Sequence, residues 1–111
     1  MTEREIDPHK SIDFIRDNAE KFAQAKANRI YLEEFRKTQK AILMRQSMEN
    51  VIGKQETFAY SHPDYVSVLQ GIREAVEVEE ELRWQMVAAQ ARVEVFRTQE
   101  ASKRVEYKVT L

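Results

Sequence analysis

The sequence predicts an all-α protein, an antiparallel two-helix hairpin with coiled-coil character that assembles into a helical-bundle oligomer. Three observations carry this expectation. Breakers are scarce, with two glycines and two prolines in 111 residues, whereas β and α/β folds need turn residues every few positions. Charge is high, at 33% of residues beside 42% hydrophobic, against roughly 25% charged in ordinary domains. Apolar residues also recur at helical spacing along the chain, which excludes the depleted composition of a disordered segment.

Residues 1–10 read as a flexible N-terminal tail, and residues 11–111 as one helical-hairpin domain. A first helix is expected over 11–51, opening at Ser11 as N-cap, with Asp13 in the first turn where the helix dipole favours an anion. Gly53 is the expected left-handed residue that ends it. The connector covers 52–62. Ser61-His62-Pro63-Asp64 then reads as a second start signal, with a hydroxyl cap before a proline in the first turn. The second helix spans 63–107, and Gly71 inside it costs about 1 kcal/mol relative to alanine.

The second helix carries the sharpest pattern. Alternate steps of three and four residues pass through Val68, Ile72, Ala75, Glu79, Leu82, Met86, Ala89, Val93 and Phe96, eight of the nine apolar. That is a coiled-coil seam with one polar member. Glu79 reads either as a partly exposed seam residue that reaches water or a cation, or as a device that fixes register.

Both helices carry more apolar surface than a hairpin can cover. In the first helix Tyr31, Leu32, Phe35 and Ile42 share one face, and Ile12, Ala19, Ile30, Ala41, Met44 and Met48 another. In the second, Trp84, Ala88, Ala91 and Val95 form a stripe beside the main seam. Burying Trp84 alone contributes on the order of 2–3 kcal/mol. The expectation is therefore a homo-oligomer, most simply a dimer forming four helices. Its interface would draw on Ile30, Phe35, Met44, Met48, Trp84, Ala88, Ala91 and Val95.

Charge patterning favours the antiparallel order. Residues 26–45 carry Lys26, Arg29, Arg36, Lys37, Lys40 and Arg45, while residues 74–81 carry Glu74, Glu77, Glu79, Glu80 and Glu81. A turn near residue 57 sets these blocks side by side, and sets Asp7, Asp13, Asp17 and Glu20 against Arg92, Arg97, Lys103 and Arg104. Each surface pair is worth only about 0–1 kcal/mol, but together they select orientation.

The stock of reactive groups points away from catalysis, and no cofactor or metal is expected. Without cysteine there is no thiol nucleophile or thiolate metal site. The two histidines, His9 and His62, fall in the tail and the connector. The Glu-x-x-His motif of di-iron bundles does not occur. Gly53 and Gly71 stand too far apart for a phosphate loop. Serines 11, 47, 61, 67 and 102 lack a His–Asp constellation. No apolar run approaches the roughly 20 residues of a membrane span. The charged start Met1-Thr2-Glu3-Arg4-Glu5 is unlike a signal peptide, so a cytoplasmic protein without membrane contact is expected.

Net charge is −1, with 18 basic and 19 acidic residues, so nucleic-acid binding would need a local patch. Arg29, Arg36, Lys37 and Lys40 are the candidate contacts, with aromatics nearby that could stack on single-stranded bases. The connector aromatics Phe58, Tyr60 and Tyr65, with His62, form a further candidate surface, or pack the tip onto the hairpin.

Three stretches resemble a known group of proteins: Lys26-Ala27-Asn28-Arg29-Ile30-Tyr31-Leu32-Glu33-Glu34-Phe35-Arg36-Lys37, then Glu81 to Arg92, then Phe96-Arg97-Thr98-Gln99-Glu100-Ala101-Ser102. They are similar to small helical proteins of tailed bacteriophages and prophages, encoded in the early region near single-strand annealing proteins and exonucleases. The resemblance spans most of residues 11–104 and carries no catalytic motif. It implies an accessory role in phage DNA recombination or replication, or in managing a host factor, in the host cytoplasm. The expected function is thus non-enzymatic and exercised through protein contacts. Direct single-stranded DNA binding and structural or assembly chaperoning are the alternatives.

Overall fold

The computed structural model describes residues 5–110, the side chain of Thr110 excepted, as three helices: α1 (Pro8–Gln46), α2 (Ile52–Ser61) and α3 (Pro63–Thr110). Two compact units share these helices. One holds α1 as far as Phe22 with α3 from Glu81 onward, and the other is Ala23–Glu80. Among the described residues no helix is long and apolar enough to cross a membrane.

α1 starts at Pro8 rather than Ser11, so the expected tail is partly helical; residues 1–4 lie outside the described residues. Asp7 is the cap, its Oδ1 accepting from the amides of His9 at 2.9 Å and Lys10 at 3.2 Å. Pro8 occupies the first helical position, where a missing N–H costs nothing. Ser11 is buried on the helix instead.

α1 also ends earlier than residue 51. The Ser47 hydroxyl donates to the Met44 carbonyl at 2.8 Å, a local bond that competes with helix continuation. Gly53 does not end α1, because it lies inside α2, and no described glycine has a positive φ. The expected connector is therefore a ten-residue helix. Ser61 does not cap α3 either, since its hydroxyl turns back to the Thr57 carbonyl at 2.7 Å. His62 does so, its ring Nδ1 accepting from the Asp64 amide at 3.0 Å. The same residue closes α2 through its backbone amide, which donates to the Ala59 carbonyl.

The expected seam of α3 holds at every position: Val68, Ile72, Ala75, Glu79, Leu82, Met86, Ala89, Val93 and Phe96 are all buried or half-buried. α1 presents a matching row at the same alternation, Ser11, Ile15, Asn18, Phe22, Ala25, Arg29, Leu32, Arg36, Gln39 and Leu43, again all buried or half-buried. Leu32 alone of the four residues expected on one α1 face belongs to this row; Tyr31 and Ile42 stay exposed.

Within Ala23–Glu80 the contacts between α1 and α3 run in opposite numerical order. Leu43 shares a core with Tyr65 and with Ala59 of α2. A Cβ built on Gly71 would lie 3.7 Å from the Leu32 side chain. Arg29 bonds Glu79. In the other unit, the Arg83 guanidinium lies 5.2 Å from the centre of the Phe22 ring.

Candidate interaction surfaces

Glu79 is 1% exposed, and the seam position that buries it also aims it at α1. Its carboxylate takes two bonds from the Arg29 guanidinium, one of them from Nη2 to Oε1 at 3.2 Å. The Arg29 Nη1 also donates to both carboxylate oxygens of Glu33, at 3.2 and 3.0 Å, one turn away on α1. Two carboxylates on one forked cation raise the arginine pKa further above its already high value, through the hydrogen bonds of Glu79 first and then Glu33. Planar guanidinium geometry suits such bidentate pairing.

The four candidate nucleic-acid contacts are thus placed as follows. Arg29 is held in this cluster. Lys37 pairs with Glu34 on its own helix at 3.3 Å. The Lys40 ammonium lies 4.8 Å from the centre of the Tyr60 ring and 3.8 Å from the Glu56 carboxylate. Its pKa is raised, chiefly by a hydrogen bond to Tyr60, against the opposing cost of desolvation. Arg36 occupies a half-buried seam position. At the N-terminal end of α1, Asp13 and Asp17 both hold Arg16 of the same helix.

The tip packs on itself. Tyr60 meets the buried Tyr65 edge-on at 5.2 Å, and Phe58 lies 5.7 Å from the His62 ring. The tip still leaves apolar surface open, in Tyr60 and Phe58 as well as the aliphatic Val51, Ile52 and Met48, the last 95% exposed.

The eight residues expected at an interface divide into two groups. Met44 packs against the Leu43 core, and Phe35 is half-buried with its ring stacked on Tyr31 at 6.1 Å. Ala88 is also half-buried. Ile30, Met48, Ala91 and Val95 are exposed, and Trp84 is 64% exposed. Of the stripe expected beside the seam, Ala88 and Val95 flank it, whereas Trp84 and Ala91 lie across the helix from it. At about 100° per residue, Trp84 and Ala91 each lie two residues from their flanking seam members, about 160° around the helix, while Ala88 and Val95 are only about 100° from Ala89 and Phe96.

Sequence reasoning missed the α1 seam and the extension of the α3 stripe. Continuing the same four-and-three alternation from Val95 reaches Thr98, Ser102, Val105 and Val109, all exposed and none charged. Val105 and Val109 are 61% and 80% exposed. The signal was available in the spacing alone.

Compared with family models, curated proteins and solved structures, the chain matches none.

Proposed function

We propose that this chain is a non-enzymatic interaction protein, an antiparallel helical hairpin that acts by helix-to-helix protein contact and forms a homo-oligomer. The observation that carries this reading is Trp84, 64% exposed on a continuous helix in a row with Ala91 and Val95. A tryptophan so placed leaves a large apolar area in water, and contiguous apolar patches of this kind mark contact sites. The opposite numerical order of α1–α3 contacts supports the hairpin. The resemblance to small phage proteins supports an accessory role in DNA recombination or replication, or in handling a host factor, within the host cytoplasm.

The candidate basic cluster lends less support to direct DNA contact, because Arg29, Lys37 and Lys40 already hold carboxylate partners. The test is the mass of the protein in solution, measured by light scattering with and without a short single-stranded oligonucleotide. The reading expects a concentration-dependent oligomer whose mass the oligonucleotide leaves unchanged. A complex with the oligonucleotide that weakens steeply with salt would instead establish DNA binding. A monomer that ignores the oligonucleotide would overturn the assembly reading.

A further inference from the structure

From the outer face of α3 we infer that a second copy of this chain docks there, antiparallel, along residues 84–109. The inference rests on the assembly reading above and specifies its surface, partner and register. Trp84, Ala88, Ala91, Val95, Thr98, Ser102, Val105 and Val109 alternate by four and three over the C-terminal part of α3. An outward row with this 3.5-residue period is the pattern that a second helix of the same period fits. Seven of the row's eight members are exposed and Ala88 is half-buried, whereas the inner-seam members Met86, Ala89, Val93 and Phe96 are all buried or half-buried.

Two observations select the occupant and its direction. From Ala101 to Val109 every residue is exposed. A helix segment whose side chains are all exposed buries little apolar surface, and packing of an apolar face supplies most helical stability. A partner that covers this row would supply it. The direction follows from charge. Extending the row towards the N-terminus reaches Glu81, then Glu77, then Glu74 in the same alternation. Parallel copies in register would set each of these glutamates against its twin, which is unfavourable. Antiparallel copies centred between Val95 and Thr98 leave the glutamates outside the pairing.

That register forms closed layers: Trp84 with Val109, Ala88 with Val105, Ala91 with Ser102, and Val95 with Thr98. Each layer joins two residues whose positions the two-fold axis exchanges, as an isologous interface demands. The flanking positions meet as Arg92 with Gln99 and Glu94 with Ala101, so like charges do not face each other. The strip is about 40 Å long and a helix wide, so two copies cover on the order of 1,000 Å². This is the low end for a specific pair and fits reversible association at micromolar concentration.

The chain has no cysteine, so single substitutions give unique attachment points for spin labels. In the antiparallel pair, labels on Gln99→Cys come within roughly 15 Å of each other, while labels on Gln85→Cys stand about 35 Å apart. Equal short distances at both positions would mean parallel pairing and would overturn the inference. The variant Val95→Glu/Val105→Glu changes exposed residues only, and its helicity is checked by circular dichroism. It should move dimer formation to at least about tenfold higher concentration. A folded variant that dimerises like the parent overturns this surface but leaves the assembly reading standing. A parent chain that stays monomeric overturns both.

Discussion

Glu79 is 1% exposed in a row of apolar side chains, and an unpaired carboxylate in such a place is unfavourable by several kcal/mol. The Arg29 fork removes that penalty and fixes which part of α1 lies opposite. Of the two readings open for this glutamate, burial excludes exposure to water, while the nearby cation of the first reading is present as Arg29. The pairing supports the role of a register device, because sliding α1 by one turn would separate the two charges. A buried pair need not be more stabilising than an apolar pair of similar size. Arg29→Met and Glu79→Leu should each lower the melting temperature, whereas the double variant should melt above the Glu79→Leu and Arg29→Met singles. Additive losses in thermal unfolding would contradict this account. Lys40 gives a pH dependence of defined sign. Its pKa is raised in the folded chain, so its contribution is complete below the ordinary lysine value of about 10.4. That contribution is lost as pH rises through the folded value. Lys40→Met should therefore show a shallower loss of stability above about pH 10 than the parent, measured by urea unfolding across alkaline pH.

At the scale of elements, the chain was legible where composition and spacing agree. Eight apolar residues in nine made the inner row of α3 readable from sequence, and the structure buries or half-buries all nine. The corresponding row of α1 was not readable, because Ser11, Asn18, Arg29, Arg36 and Gln39 fill half of its ten places. Long arginine and glutamine stems can line an interface while their polar ends reach partners or water, so a hydrophobic pattern passes over them. Helix ends were misread for a related reason. Ser11 and Ser61 looked like caps by residue type, but the Asp7-Pro8 pair and the His62 ring perform that role. Gly53 looked like a stop, yet α2 takes it up. Gly71 offers the cleanest test of helix energetics. Its missing Cβ would meet Leu32 at an ordinary 3.7 Å, so Gly71→Ala should stabilise the chain by about 0.5–1 kcal/mol. Chemical denaturation measures this, and a loss of stability would show that the contact is tighter than the distance indicates. At the other end of α1, Asp7→Ala should cost about 1 kcal/mol, with fraying of the first turn visible as faster amide exchange at His9 and Lys10.

At the scale of the whole molecule, the buried apolar set among the described residues is small. Leu43, Ala59, Tyr65, Ala75 and Ala89 are the buried hydrophobics, while Trp84, Val95, Val105 and Val109 lie exposed. A chain so arranged gains stability when a second surface covers those residues, and mass action then ties stability to concentration. The melting temperature should rise by roughly 2–5 °C for each tenfold increase in protein concentration, and Val95→Glu/Val105→Glu should abolish that dependence. Scanning calorimetry at several concentrations checks both statements. The most direct test of the central claim is sedimentation equilibrium of the parent chain from below one to several hundred micromolar. The account predicts a weight-average mass that climbs with concentration to twice that of the monomer. A mass fixed at that of the single chain across the whole range would contradict it.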